Sequence, residues 1–236
     1  MTTLVIATQN AHKVQEIRAI LSDRLHYRTL LDFPDAPAVI EDAETFAGNA
    51  AKKAVGLAEW LAEIPNLERQ TANSTNYVLA DDSGLEVDAL HGAPGVQSAR
   101  FAALDEGGAG DPSNPHAGNA PDAANNDKLL RLLKAVPLEQ RTARFRCVLA
   151  LAGIQPPAAR RPPEFFEGIC EGHISFAPRG QKGFGYDPLF VPRDYQQSFA
   201  ELGEAVKNQL SHRARALAKL RTWLLQEADF SGSNVR

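Results

Sequence analysis

Four consecutive apolar residues near the N-terminus, Leu4-Val5-Ile6-Ala7, run straight into the polar stretch Thr8-Gln9-Asn10-Ala11-His12-Lys13. An apolar run without polar alternation reads as a buried strand. Val14, Ile17 and Leu21 then recur at helical spacing, so the opening segment predicts a strand, a polar loop and a helix in succession. The rest of the chain is consistent with such a helix-covered sheet. A helix is expected over Thr45–Ala62, with Phe46, Ala50, Ala54, Leu57 and Leu61 on one stripe and Pro65 stopping it. A strand is expected over Tyr77–Ala80, ending abruptly at Asp81-Asp82-Ser83-Gly84. A helix carrying Leu129, Leu132 and Leu133 should end before Pro137, and Ala143–Leu151 alternates as a strand does. Phe165–Phe176 reads as one or two strands interrupted by Gly168 and Gly172. Ser198 and Glu201 form a capping box, and Ala214, Leu217, Leu220 and Leu224 put the last helix on the core, before a tail at Ser231–Arg236. Without a strict βαβ repeat, the predicted class is α/β with a mixed sheet flanked by helices. Loops are expected at 66–76, 107–121 and 155–163.

Charge and composition narrow the function. Twenty-five Lys and Arg against 29 Asp and Glu leave a net −4, which argues against nucleic acid as the main partner. An apolar fraction of 44% is enough for a sizeable core. Only Cys147 and Cys170 are present, too few for a disulfide scaffold and without zinc-site spacing, so they read as reduced core thiols. No run approaches a membrane span of about 18 apolar residues, and nothing at the N-terminus has the form of a signal peptide. The expectation is a soluble, cytoplasmic protein.

Four polar segments lie at the ends of apolar runs, where open α/β sheets place ligands. Thr8–Lys13 leads from a strand into a helix, and its free N–H groups with Lys13 suit a bound anion; taken alone, the segment fits a capped helix start with a solvated lysine better. Asp81-Asp82-Ser83-Gly84 offers hard oxygen donors of the kind Mg²⁺ takes, if the strand breaks there so that both acids can share one ligand. Its competing reading is a solvated turn. Gly183-Phe184-Gly185-Tyr186-Asp187-Pro188 could stack a base on a ring, or tuck both aromatics into the core. Lys207-Asn208 with Ser211-His212-Arg213 is either an anion or base-edge site at a helix start, or a basic surface turn.

Taken together, these segments make the parts of a Mg²⁺-dependent nucleotide site, and here the chain resembles the inosine triphosphate pyrophosphatase (Ham1-like) family. The resemblance is carried by Ala7–Asn10 with Lys13 and Glu16, Leu79–Leu90, Gly92–Val96 with Ser98-Ala99-Arg100, Gly183–Pro188, and Lys207-Asn208 with Ser211–Arg213, in family order. It implies an elongated mixed sheet in two lobes around a nucleotide cleft, with residues 1–236 as one domain, usually a homodimer. It implies Mg²⁺-dependent conversion of a non-canonical purine nucleoside triphosphate (ITP, dITP or XTP) to the monophosphate and pyrophosphate. By position, Thr8, Gln9, Asn10, Ala11, His12 and Lys13 would hold the phosphates. Asp82 would be the proton acceptor and a metal residue, with Asp81 and Glu41 in the same metal site. Ser83, Phe184, Gly185, Tyr186, Asp187, Lys207, His212 and Arg213 would hold the nucleotide. Two departures stand out: Gly48 replaces a glutamate in the family's Thr-Phe-x-Glu-Asn-Ala, and Gln97 replaces a tyrosine. The competing readings are a pyrophosphatase for modified pyrimidine or methylated nucleotides, and a nucleotide or RNA-binding module that kept the cleft.

Overall fold

β1 (Thr2–Ile6) lies inside the sheet between two parallel neighbours, β2 (Leu25–Thr29) and β3 (Asn76–Val87), and its apolar run is buried on both faces, Leu4 and Ile6 in one core cluster and Val5 in another. In this computed structural model, which describes residues 2–21, 25–64, 76–106 and 119–232, six strands form one sheet in the order β2-β1-β3-β4-β5-β6. β4 (Thr142–Gly153), β5 (Glu164–Ile174) and β6 (Phe190–Pro192) extend it antiparallel, so the sheet is mixed, as expected.

Helices cover both faces. α1 (Ala11–Ile20) starts at Asn10, whose side chain accepts the Lys13 N–H. α2 (Phe46–Ala62) starts at Thr45, and its stripe of Ala50, Ala54, Leu57 and Leu61 is buried against Val78, Ala80, Ala150 and Ala152. α3 spans Asp122–Leu132. α4 (Phe199–Leu202) opens on the Ser198/Glu201 capping box but lasts only four residues, because Gly203 at φ 78° ends it. α5 (Glu204–Leu210) leads into α6 (His212–Gly232), which packs with α1 on the face opposite α2. Among the described residues no helix is long and apolar enough to cross a membrane. The loops expected at 66–76 and 107–121 lie almost wholly outside the described residues, as does the end of the expected tail; Ser231 and Gly232 belong to α6.

Two expectations are corrected. β3 does not end at Ala80: it runs unbroken through Asp81-Asp82-Ser83-Gly84 to Val87, paired with β4 throughout. Gly84 is there for space and not for a turn. A Cβ at Gly84 would come 2.4 Å from Ser98 Oγ and 2.5 Å from the Gly95 carbonyl, where the turn of 3₁₀ helix Gly95–Arg100 presses on the strand. Nor do Gly168 and Gly172 interrupt β5. A Cβ at Gly168 would stand 2.0 Å from the His212 carbonyl oxygen, so this glycine lets the start of α6 lie directly on the sheet.

The core falls into three clusters. Val78, Leu79 and Ala80 feed the two that lie on opposite faces near β1, whereas Leu85 and Val87 feed a third with Phe145, Tyr186, Phe190 and Phe199. The polar tetrad Asp81–Gly84 sits at the seam between them.

Candidate active site

Because β3 is continuous, alternation sends Asp81 and Asp82 to opposite faces. The two acids therefore do not converge on one ligand, as a broken strand would have allowed; they occupy different electrostatic surroundings one peptide apart.

Asp81 is buried on the α1/α6 face, and its oxygens are fully engaged. Oδ1 accepts from Lys13 Nζ at 2.5 Å and Ser83 Oγ at 2.9 Å; Oδ2 accepts from Arg213 Nε at 2.9 Å and Cys147 Sγ at 3.2 Å. Burial alone would push this carboxyl up, but the Arg213 guanidinium and the Lys13 ammonium outweigh it and hold it well below the usual range. The network continues inward. Arg213 also bonds Glu16, Glu16 pairs with Lys207 at 2.9 Å, and Lys207 pairs with Asp187 at 2.6 Å. Asp187 Oδ2 in turn accepts the Phe184 N–H at 2.9 Å. Six charges of alternating sign thus connect Lys13 to the Gly183–Asp187 turn. Burial opposes ionisation of Glu16, yet Arg213 and Lys207 lower it; for Asp187 burial prevails over Lys207 and raises it.

Asp82 faces α2. Lys53 Nζ lies 3.4 Å from Asp82 Oδ1, 2.9 Å from Glu41 Oε2 and 3.0 Å from the Asp81 carbonyl oxygen. Asp82 Oδ2 is buried with no hydrogen-bond partner. Burial pushes the Asp82 carboxyl up against the pull of Lys53 and Lys13, and the neighbouring Glu41 adds to the rise. Lys53 shows the converse: burial disfavours its charge, but Asp82 and Glu41 raise it. Lys53 and Glu16 were not among the sequence-derived site residues. Lys53 follows Asn49 by one helical turn beside the buried Ala50/Ala54 stripe, a position where a lysine must find an acid, and that was the available signal. Glu16 is three residues after Lys13, on the face that buries Ile17.

The remaining candidates separate into contact positions and supports. Thr8, Gln9, Asn10, Ala11 and His12 lie at the exposed start of α1, where Thr8 Oγ1 accepts the Asn10 N–H at 3.1 Å. The N–H groups of Ala11 and His12, ahead of the capped Lys13 N–H, belong to the first turn of α1, whose N–H groups have no partner within the helix, as an anion site requires. The glycine turn divides its aromatics. Tyr186 is core, with its hydroxyl donating to the Ser98 carbonyl at 2.9 Å, while Phe184 is half-buried, with Lys207 Nζ 4.3 Å and the Arg213 guanidinium 5.9 Å from its ring centre. Gly183 has φ 82°, and a Cβ there would meet Asp187 Oδ2 at 2.2 Å. Gly185 is pinned by its N–H to Asp122 at 2.6 Å and its carbonyl from Asn126 at 3.0 Å.

Ser211 caps α6, accepting the Ala214 N–H at 3.2 Å, and puts His212 and Arg213 in the first turn as expected. Neither forms a basic surface turn, for both are buried. The His212 ring stacks on Phe145 with centroids 4.8 Å apart, its Nδ1 has no partner, and burial together with Arg213 and Lys207 holds it neutral.

Among the described residues no group of three or more His, Cys, Asp or Glu side chains is gathered to hold a metal. Asp82 and Glu41 form a pair, with one buried oxygen still open. Position 48 is the third residue of α2 after the Thr45 cap, and Gly48 donates its N–H to Thr45 Oγ1 at 3.0 Å. A Cβ there would point at Ala43 and Thr45, so a glutamate at this place completes a capping box. In this chain, Gly48 therefore leaves the Thr45 capping box half complete.

The profile of the Ham1 family matches residues 4–223 of this chain. A dITP/XTP pyrophosphatase of Shouchella clausii is 45% identical over 221 residues, covering 94% of this chain and 96% of the relative. One from Geobacillus kaustophilus is 46% identical over 221 residues, covering 93% of each. Among solved structures, a HAM1 protein from Coxiella burnetii aligns with a TM-score of 0.74 at 36% identity, covering 96% of this chain and all of that one. The Staphylococcus aureus Ham1 protein aligns at 0.73 and 31% identity, with the same coverage.

Proposed function

This chain belongs to the Ham1 family, and from that premise we propose that it hydrolyses non-canonical purine nucleoside triphosphates, ITP, dITP or XTP, to the monophosphate and pyrophosphate. The observation that carries the reading is the unpartnered, buried Asp82 Oδ2 beside Glu41 and Lys53, across the strand from a Lys13 already tied to Asp81.

Asp82 and Glu41 fit Mg²⁺, which takes one or two carboxylates and completes its shell with water and phosphate oxygens. When bound, the ion supplies positive charge to the triphosphate and lowers the pKa of a coordinated water. Asp81 has no oxygen to spare for it; its work is to hold Lys13 and Arg213 in place. Lys13 and the N–H groups of Ala11 and His12 carry the phosphate charge, with Thr8, Gln9 and Asn10 shaping the loop. Asp82, whose raised pKa brings it nearer to neutrality, accepts the proton of the water that attacks the α-phosphorus. The α–β anhydride bond breaks and pyrophosphate leaves. Ser83 keeps Asp81 oriented, and Phe184 and the Gly185 peptide form the base platform on the supports Tyr186, Asp187 and Lys207. Arg213, whose guanidinium lies 5.9 Å from the Phe184 ring centre, and His212, whose Nδ1 is unpartnered, favour a 6-oxo acceptor over the 6-amino donor of adenine. Sites built on such hydrogen bonds discriminate by about 10⁴–10⁵.

Residues 1–236 would act as one catalytic unit of two lobes and, as in the family, as a homodimer. The two buried free thiols and the acidic balance support the cytoplasm as its place. The test is incubation with ITP, ATP and GTP, with and without Mg²⁺, with products identified. Mg²⁺-dependent IMP and pyrophosphate from ITP, with ATP and GTP largely spared, is the expected result. IDP and orthophosphate, or comparable turnover of ATP, would overturn the reading. Turnover confined to modified pyrimidine or methylated nucleotides would reassign the substrate.

A further inference from the structure

Phe184 carries a second ring. The His12 imidazole lies over it with centroids 5.2 Å apart and planes within 10° of parallel, although one residue opens α1 and the other belongs to the Gly183–Asp187 turn. His12 is exposed, and among the described residues its imidazole makes no hydrogen bond or ion pair, so the ring contact alone sets its position. Phe184, in contrast, is fixed. Its N–H is held by Asp187, and the next peptide is held by Asp122 and Asn126.

We propose that His12 and Phe184 are the two leaves of a clamp for the purine base, with Phe184 the fixed leaf and His12 the mobile one. The inference rests on the nucleotide reading above and gives the His12 side chain to the base, while its backbone N–H stays with the phosphates. A purine held between two rings needs about 7–8 Å between them, twice the van der Waals separation of about 3.5–4 Å. From the 5.2 Å of the closed stack one leaf must therefore retreat. His12 can do so by side-chain rotation alone, because nothing but the stack restrains it. Lys13, the next residue, is anchored on Asp81. The same short loop thus covers the base with one residue and meets the triphosphate with its neighbour, which fixes the distance from base to phosphate.

The experiment compares His12→Ala and His12→Phe with the unaltered chain, in steady-state turnover of ITP and in calorimetric titration with inosine 5′-monophosphate. Loss of one stacking partner should weaken binding by about tenfold or more, read in KM for ITP and in Kd for the monophosphate. His12→Phe, which keeps a ring and loses both nitrogens, should restore both to within about threefold. If His12→Phe is as impaired as His12→Ala, an imidazole N–H to phosphate is what matters and the clamp is wrong. His12→Ala with unaltered KM and Kd overturns it as well. Should the unaltered chain fail to turn over ITP, the substrate reading falls on that result alone, and the monophosphate titration still decides the clamp. Absence of any monophosphate binding overturns both.

Discussion

Asp81 and Asp82 share chemistry and sequence neighbours, yet substitution should separate them cleanly. Asp81→Asn strips Lys13 of its acid and the buried Arg213 of one of its two, and should cost about 3–5 kcal/mol, visible as a loss of Tm. Asp82→Asn removes a charge that burial already disfavours, so Tm should hold or rise, while turnover falls by about 10²–10⁴ from loss of the proton acceptor. Both variants need only calorimetry and an assay. His212 supplies a pH signature. Its folded-state pKa lies well below the ordinary value near 6.5, so the unfolded chain binds a proton first as pH falls, and stability declines below about 6.5. Between about pH 7.5 and 5.5 this one residue should make the protein progressively less stable, read as a falling Tm. His212→Phe, which keeps the ring on Phe145, should flatten that slope. Asp81 and Glu16 act in the opposite window: their lowered pKa values support the fold above pH 4 or so, and that support is lost only under stronger acid.

At the scale of elements, the contact between α6 and β5 is the most demanding. Gly168→Ala places a Cβ against the His212 carbonyl and the Ala216 N–H, both backbone, and should lower stability by about 1–3 kcal/mol or more with loss of soluble protein. Gly153→Ala is the control: it meets only the flexible Gln155 side chain and should be near neutral. Gly168 shows where the sequence was hard to read. Its effect depends on a chain segment more than 40 residues away coming close, and a single strand's pattern carries no trace of that. The local signals read well: the apolar run of β1, the stripe of α2, the Ser198/Glu201 capping box and the Ser211 cap all come from neighbours within one or two turns. Asp-Asp-Ser-Gly has the composition of a turn and became the middle of a twelve-residue strand, because pairing with β4 on one side and the pressure of Gly95–Arg100 on the other overrode local preference. Motif residues named the site, but which of two adjacent acids stays open, and that Lys53 and Glu16 join them, followed only from tertiary charge pairing.

For the whole molecule, the fold rests on three apolar core clusters to which neither Asp82 nor Glu41 belongs. Chelation with EDTA should therefore abolish turnover yet leave Tm unmoved within about 1 °C, whereas saturating inosine nucleotide should raise Tm by mass action. A fall of several degrees on chelation would mean that Asp82 and Glu41 hold the fold as well as the chemistry. The row from Lys13 through Asp81, Arg213, Glu16 and Lys207 to Asp187 also limits how this sequence can drift. Exchanging any one member for a neutral or opposite residue leaves the row with an unbalanced charge in the interior. Single steps are then blocked, and descendants can leave this arrangement only through paired exchanges, in which a cation and the acid beside it are replaced together. Six positions scattered over the chain are in that sense inherited as one character.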